Sequence, residues 1–345
     1  MKKEIAIKDL EVGMYVVLPV SWFKHPFLKN EFVINSEKQI NQLAESGLRE
    51  VIIDPSRSLQ VSALETKQTI FDNSDTLAAR DALRTPPKTW EPDKLIPADL
   101  KEAIRDNKLS PEKKSQIVYR SSLVLMDRLF EDPKAENIRE AKKGISDIVD
   151  LILGDAVTSA YLLRITSYDY YTYTHSVNVG VLGVLLAKEM FRTSSSHDIH
   201  ELGAGFFLHD IGKVLVDQTI INKAGLLTKG EMDIIRTHPD QGYSLLHKTH
   251  QLSDECNVVV MQHHEREDGS GYPHRLTGED IHIYGRICCI ADVFDALTSK
   301  RSYHEQLSTF DALKIMKKEM LNHFSARVFE RFVLLFTDNA NAGRN

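Results

Sequence analysis

The sequence has little of what marks several large protein classes. Its 345 residues contain only three cysteines, too few for the disulfide framework of a small secreted protein. No apolar run reaches the roughly 18 to 20 residues of a membrane span. The longest run, residues 179 to 187, is followed directly by Lys188 and Glu189. The first residues carry acids where a signal peptide has its apolar core. We therefore expect a cytoplasmic protein with no membrane segment.

An excess of positive charge is also absent. The formal net charge is −6, and a protein that binds nucleic-acid polymers needs a broad basic surface to neutralise phosphates. We therefore expect no nucleic-acid polymer as a partner. Any anionic ligand must be held by local charge or by metal. The hydrophobic share of 42% and the charged share of 27% are typical of a globular protein, and the length favours two domains.

The chain changes character twice along its length. Short β-type runs and one amphipathic stretch up to residue 55 predict a small α+β module, which a proline-rich polar linker follows up to residue 97. Residues 98–144 have apolar positions three and four apart and predict connecting helices. Residues 145–345 are helical in pattern almost throughout. The expected fold class is multi-domain, with an N-terminal α+β regulatory module and linker (1–97), connecting helices and an all-α bundle.

Two local patterns predict helix ends in the bundle. Gly212 follows an apolar helical run and is expected to close it. Thr228 and Glu231 have the spacing of a capping box, which predicts the start of a further helix.

Histidine is concentrated in the second half of the chain. Thirteen of the fourteen histidines lie between residues 175 and 323, several beside acids or other histidines. An imidazole and a carboxylate at a buried helix end are costly to desolvate unless they bind something. One isolated pair would be explained by a solvated helix end, but a shared metal site explains five places at once. These places are His175, the pair His209 and Asp210, His238, the pair His263 and His264, and Asp292.

The composition of this set favours two metal ions. Five histidines and two aspartates are too many ligands for one ion with open positions. A carboxylate can bridge two cations, whereas one imidazole nitrogen serves one, so Asp210 is the expected bridge. Nitrogen and oxygen ligands suit iron, manganese, nickel or zinc, and the ligand set does not choose among these metals.

Five motifs in order resemble the HD-GYP class of the HD phosphohydrolase superfamily. They are HDIGK at 209–213, THP at 237–239, HHE at 263–265, DGSGYP at 268–273 and ADVFDALTSKRSY at 291–303. The resemblance covers residues 145 to 340. The N-terminal module, with its KDLEVGMYV opening, is similar to an uncharacterised domain often found before HD-GYP domains.

The resemblance implies hydrolysis of cyclic di-GMP, a bacterial second messenger, to pGpG and/or GMP. Carried over by position, one metal would be held by His175, His209, Asp210 and Asp292. Asp210 would bridge to a second metal held by His238, His263 and His264. A water or hydroxide that bridges the metals would attack the phosphorus.

The same resemblance assigns substrate contacts. Lys213 would act with Asp210 in catalysis and reach the scissile phosphate, while Arg301 would hold a phosphate oxygen or a guanine face. Tyr272 would stack on a base or fix the loop, and His304 stands where members carry a basic substrate-binding residue. Glu265 and Asp295 are candidates to support the histidines, although an acid on the helix surface is an equal explanation for Asp295. The GYP loop is a contact site for diguanylate cyclases of the GGDEF type in members of the family, and a homodimer is a further expected assembly.

Three positions depart from the family pattern. Tyr171 stands where trinuclear members carry a glutamate, so we expect a dinuclear site. His304 weakens the expected phosphate binding. Glu267 replaces a common aromatic, and its charge is expected to repel an anionic ligand. These departures keep open a catalytically weak sensor or adaptor that contacts GGDEF cyclases. A preference for 3'3'-cyclic GMP-AMP is a second alternative, since nothing in the sequence discriminates guanine from adenine. A nucleotidase of the wider HD superfamily is a third, which His238, the His263–His264 pair and the GYP motif disfavour.

Overall fold

The structure is a computed structural model, and it describes eight stretches of the chain. These are residues 3–18, 31–34, 36–45, 48–58, 95–166, 172–223, 225–299 and 306–342. The chain divides into two compact units, Met1–Ala82 and Leu83–Asn345. The domain bounds expected from the sequence, at residues 97 and 144, stay predictions.

The first unit contains a small antiparallel sheet and one helix. Its strands lie side by side in the order Lys3–Ala6, Glu50–Ile53, Tyr15–Val17 and Glu31–Val33, and the first two pair from Lys3 opposite Ile53 to Ala6 opposite Glu50. Val16, Leu43 and Val51 are fully buried and form the centre of its core. The predicted α+β module is therefore confirmed. Its elements are β1 (Lys3–Ala6), β2 (Tyr15–Val17), β3 (Glu31–Val33), α1 (Glu37–Glu45) and β4 (Glu50–Ile53).

The second unit is helical in every described long element, as predicted. Short 3-10 helices, among them Ile211–Leu215 and Leu321–His323, connect some of these elements. The helices are α2 (Ala98–Arg105), α3 (Pro111–Glu131), α4 (Ala135–Gly154), α5 (Ala156–Ile165), α6 (Thr172–Met190), α7 (Ile199–Leu208), α8 (Gln218–Ile221), α9 (Lys229–Ile235), α10 (His238–Thr249), α11 (Asp254–Gln262), α12 (Ile283–Thr298), α13 (Thr309–Glu319) and α14 (Ala326–Ala342). No helix among the described residues is both long and apolar enough to cross a membrane.

Helix α6 lies at the centre of this unit and packs against α3, α7, α12 and α14. Two glycines on it allow α7 to approach closely. A Cβ atom at Gly180 would lie 2.3 Å from the ring of Phe207, and one at Gly183 would lie 2.6 Å from the ring of Phe206. Because the two helices are this close, a histidine at the start of α6 and the residues after α7 can meet.

One of the two predicted helix ends is confirmed. Thr228 and Glu231 form the capping box that begins α9. Gly212 does not close α7, which ends at Leu208; it lies inside the following 3-10 helix. A Cβ atom there would lie 1.9 Å from the carbonyl oxygen of His238. The physical reason for glycine is therefore close packing on α10, which brings the segment after Asp210 against His238.

Candidate metal centre

The structure brings all seven predicted ligand residues together in two adjacent groups. We call the group of His175, His209 and Asp292 the first cluster. The second cluster contains His238, His263 and His264 together with Asp210. Within each group, one ligand atom from every residue lies within 4.8 Å of the others. Six of the seven residues are buried and His264 is partly buried.

Asp210 lies between the two clusters and faces each with a different oxygen. Its Oδ2 is 3.4 Å from Nε2 of His175 and 3.5 Å from Nε2 of His209. Its Oδ1 is 3.1 Å from Nε2 of His238 and 3.7 Å from Nε2 of His263. This is the placement that a bridging carboxylate needs.

Three of the histidines are oriented by backbone carbonyl groups. In each, Nδ1 lies within hydrogen-bond distance of the carbonyl oxygen three residues earlier, which accepts only from a protonated nitrogen. Nδ1 therefore carries the proton and Nε2 offers its lone pair to the site. The contacts are His209 to Phe206 at 2.9 Å, His238 to Ile235 at 2.7 Å, and His263 to Val260 at 2.8 Å.

The Nε2 atoms point at one another. Those of His175 and His209 are 3.2 Å apart, and those of His238 and His263 are 3.1 Å apart. Lone pairs at this separation repel unless a proton or a metal cation lies between them. Asp210 Oδ1 is also buried, and within the described part of the chain no hydrogen bond of good geometry reaches it. These observations, with nitrogen and carboxylate donors, fit a divalent metal site.

His175 is held differently from the other histidines. Its Nδ1–H donates to Oδ2 of Asp295 at 2.7 Å, while its Nε2 lies 3.0 Å from Oδ1 of Asp292. Burial lowers the pKa of His175, but the hydrogen bonds with Asp292 and Asp295 outweigh it and raise that pKa well above the ordinary value. The expected support of a ligand histidine by Asp295 is thus present in the structure. Asp292 also reaches the second cluster, since its Oδ2 lies 3.4 Å from Nδ1 of His264.

Burial dominates the proton affinity of three other ligand histidines. It lowers the pKa of His209 to about 3, and it lowers the pKa values of His238 and His264 as well. Burial raises the pKa of Asp210, but Lys213 and His209 outweigh it and hold that pKa well below its usual range. His209, His238 and His264 are therefore neutral and Asp210 is ionised, which are the forms that bind metal.

Lys213 lies in the 3-10 helix that follows Asp210. Its Nζ is 2.5 Å from Oδ2 of Asp210, and its side chain is 14% exposed. The ammonium is therefore a counter-ion of the predicted bridging carboxylate at the edge of the site. A contact with substrate, which the sequence predicts, is a separate role.

The GYP loop lies beside the second cluster. The Tyr272 ring is 4.5 Å from the ring of His264 and 6.3 Å from that of His238, centroid to centroid. Glu265 is buried, and its carboxylate accepts hydrogen bonds from the backbone N–H groups of His274 and Leu276, at 2.7 and 2.9 Å. Glu265 was expected to support the histidines. In the structure it holds the loop instead.

A polar cleft of about 410 Å³ adjoins the same loop. The guanidinium of Arg236 lies 5.6 Å from the centroid of the Tyr272 ring, which makes Tyr272 a wall shared by the cleft and the histidines. Sequence reasoning missed this basic side chain, although it directly precedes the THP motif. The cleft is lined by Asp233, Arg236, Thr237, Asp240, Gly269, Ser270, Gly271, Tyr272, Pro273 and Arg275.

Glu267 has a partner that its sequence position did not indicate. Its Oε1 lies 2.9 Å from Nε of Arg286, and both side chains are mostly buried. The expected repulsion of an anionic ligand is therefore reduced. Three other predicted positions, Tyr171, Arg301 and His304, lie outside the described residues.

Comparison with known proteins agrees with this geometry. Residues 185–328 match the HD domain, and residues 2–151 match a domain of unknown function, DUF3391. The cyclic di-GMP phosphodiesterase PA4108 of Pseudomonas aeruginosa is 32% identical over 335 residues, which are 96% of this chain and 76% of that protein. The chain belongs to the HD-GYP family. Its membership extends to the N-terminal part, because the match to PA4108 runs over nearly the whole chain.

Other relatives match over shorter stretches. The 3'3'-cGAMP-specific phosphodiesterase 2 of Vibrio cholerae is 40% identical over 36% of this chain and 24% of its own length. The response regulator RpfG of Xanthomonas campestris, named as a cyclic di-GMP phosphodiesterase, is 33% identical over 64% of this chain and 54% of its own length. The solved structure of Bd1817, an HD-GYP-type protein from Bdellovibrio bacteriovorus, aligns with a TM-score of 0.59 at 15% identity. It covers 98% of this chain and 100% of that one, and it supports the fold alone.

Proposed function

We propose that this protein is a metal-dependent phosphodiesterase that hydrolyses cyclic di-GMP to pGpG and/or GMP. The observation that carries the proposal is the pair of clusters joined by Asp210, in which buried Nε2 lone pairs converge at 3.1 and 3.2 Å. A relative named for this activity matches 96% of the chain, which supports the same choice.

The donor sets assign residues to two divalent ions. His175, His209, Asp292 and one oxygen of Asp210 would hold the first ion. The other oxygen of Asp210, with His238, His263 and His264, would hold the second. When bound, such a pair lowers the pKa of water and stabilises charge that develops on a phosphoryl group. We expect iron or manganese, with nickel and zinc as alternatives.

The chain's own groups orient the substrate. The Lys213 ammonium lies next to Asp210 and supplies positive charge for a phosphate oxygen at the edge of the centre. Tyr272 stands between the histidines and the cleft, where its ring can stack on a base. Arg301 and His304 keep their predicted substrate contacts as part of the proposal. We also carry forward a cytoplasmic location, a contact of the GYP loop with GGDEF cyclases, and a homodimer as an expected assembly.

A second substrate has support of its own. Relatives named as specific for 3'3'-cGAMP match this chain, one at 40% identity over 124 residues. Cyclic GMP-AMP is therefore the alternative substrate. A sensor or adaptor without turnover is the alternative that a failed activity test would favour.

The deciding experiment combines metal analysis with product analysis. Protein purified without oxygen would be measured for metal content, and its products from cyclic di-GMP and from cyclic GMP-AMP would be separated by chromatography. We expect two equivalents of metal and cleavage of at least one nucleotide. An Asp210→Ala preparation, purified in parallel, controls for contaminating phosphodiesterases. Bound metal without cleavage in the presence of Fe, Mn, Ni or Zn would contradict the enzyme proposal and favour the sensor.

A further inference from the structure

A line of buried hydrogen bonds runs from His175 to helix α3. The Tyr119 hydroxyl on α3 donates to Oδ1 of Asn178 at 2.8 Å, and Nδ2 of Asn178 donates to Oδ1 of Asp295 at 2.7 Å. The other oxygen of Asp295 accepts from Nδ1–H of His175 at 2.7 Å. One hydroxyl, one amide and one carboxylate thus connect α3 to a predicted metal ligand.

These groups are shielded from solvent. Asn178 and Asp295 are fully buried, His175 is 1% exposed and Tyr119 is 6% exposed. Bulk water therefore cannot take the place of a missing partner, and a buried acceptor that loses its donor bears the full cost of desolvation.

The carboxylate of Asp295 sets the direction of each bond. Because a carboxylate only accepts, the NH₂ group of Asn178 faces Asp295, and the amide oxygen then faces Tyr119 and accepts from its hydroxyl. Asp295 is then held with one oxygen on the amide and the other on the imidazole. A carboxylate in this position fixes the tautomer and the ring orientation of a ligand histidine and raises its basicity.

The start of this line lies in the part of the chain that carries no known role. Tyr119 is within residues 2–151, the stretch that matches the domain of unknown function. We propose that Tyr119 is a positioning residue of the metal centre, acting through Asn178 and Asp295 on His175, so that α3 of this domain tunes metal binding. The inference rests on the proposed function only in taking His175 as a metal ligand.

A purely structural role is the competing explanation. In that case the hydroxyl satisfies Asn178 and contributes to stability alone. Ser122 offers a matched control, because it is buried on the same helix and its Oγ–H donates to the carbonyl oxygen of Val118 at 2.8 Å, within α3. Ser122→Ala removes a buried hydroxyl of α3 without touching the line to His175.

The experiment compares Tyr119→Phe with Ser122→Ala and the unmodified protein in the full chain. Metal affinity would be measured by competition with a chelator, alongside Tm and steady-state kinetics. Direct partners of metal ligands change metal affinity by about 10- to 100-fold. For Tyr119→Phe, two bonds further away, we expect a loss of about 3- to 10-fold in the affinity of one equivalent. We expect kcat to fall with KM unchanged, and Ser122→Ala to keep the unmodified metal affinity.

Coupling and a metal-free readout complete the test. Asp295→Asn should lower metal affinity more strongly, and adding Tyr119→Phe to it should produce little further loss, because both act on His175. In metal-free protein, nuclear magnetic resonance should show faster solvent exchange of the His175 Nδ1 proton in Tyr119→Phe. Unchanged metal affinity and unchanged proton exchange, or fully additive losses, would overturn the inference. Failure of the unmodified protein to bind metal would instead count against the proposed function, and the proton exchange would still decide the role of Tyr119.

Discussion

The two clusters of the candidate metal centre differ in what stands behind their histidines. In the first cluster, His175 is backed by the carboxylate of Asp295, and Asp292 contributes a second negative group. In the second cluster, His238 and His263 are backed by peptide carbonyls, as His209 is in the first. A carboxylate that accepts the Nδ1 proton of an imidazole makes its Nε2 a stronger metal ligand than a backbone carbonyl does. We therefore expect the first cluster to hold its cation more tightly than the second.

The difference also shows in proton affinity. The hydrogen bonds with Asp292 and Asp295 raise the pKa of His175 against the effect of burial, whereas burial lowers the pKa values of His209, His238 and His264. The difference between the clusters therefore lies in His175, whose pKa alone among these four histidines is raised. Asp210 supplies negative charge to both clusters, so the difference between the clusters is tested first at that residue.

The largest expected effect is that of Asp210→Ala, which removes the group shared by both clusters. Both cations should be lost, and turnover of the cyclic dinucleotide should fall by more than about 100-fold, since even partners behind ligands change activity by 10- to 100-fold. Elemental analysis and product chromatography measure the two effects. A variant that keeps one full equivalent of metal would show that the clusters bind independently and that Asp210 does not bridge.

A smaller effect is expected from His238→Ala, which alters the second cluster alone. One equivalent of metal should remain, held by the first cluster, and activity should fall by about 10- to 100-fold. The exposed His247 on the same helix provides the control, and His247→Ala should keep both equivalents. If His238→Ala released both metals, the expected difference in affinity between the clusters would be wrong.

The sequence predicted the members of both clusters because helix ends and neighbouring acids mark them. His209 and Asp210 follow an apolar helix, and His263 and His264 directly follow α11. It also predicted the α+β unit and the helical unit, since period-two and helical patterns separate cleanly. These features are local, so a single sequence contains them.

What stands behind the ligands was harder to predict because it depends on contacts between distant residues. Asn178 lies one turn after His175, a spacing that offered a signal, but its partner Tyr119 is 59 positions away in the chain. Glu265 follows the histidine pair directly, yet its side chain turns to the backbone of His274 and Leu276. The residues next to Glu265 in the sequence therefore did not indicate which groups its buried carboxylate would hydrogen-bond.

A moderate effect is expected from Lys213→Met, which tests whether the ammonium beside Asp210 serves the substrate or the metal cluster. Lys213 lies 2.5 Å from the oxygen of Asp210 that faces the first cluster. Loss of a charged hydrogen bond to a phosphate oxygen should raise KM by about 10-fold, within the range of such bonds. Metal content should stay at two equivalents, because a cation at Asp210 does not need the ammonium. Kinetics with parallel elemental analysis would check this. Loss of metal with KM unchanged would assign Lys213 to the cluster instead of the substrate.

The smallest effect is expected from Glu267→Gln, in the loop that follows the second cluster. The sequence alone predicts that this carboxylate repels an anionic substrate, so that its removal should lower KM. In the structure Arg286 lies 2.9 Å from Glu267 and also donates to the carbonyl oxygen of Gly278. Because an opposite charge at this distance largely cancels the field of the carboxylate, KM should change by less than about twofold. Arg286→Gln sharpens the test, since it leaves Glu267 without this cation and should raise KM for the dinucleotide. A several-fold fall in KM for Glu267→Gln would show instead that the carboxylate acts on the substrate despite its partner. Repulsion between Glu267 and the substrate would then weaken substrate binding beside the second cluster.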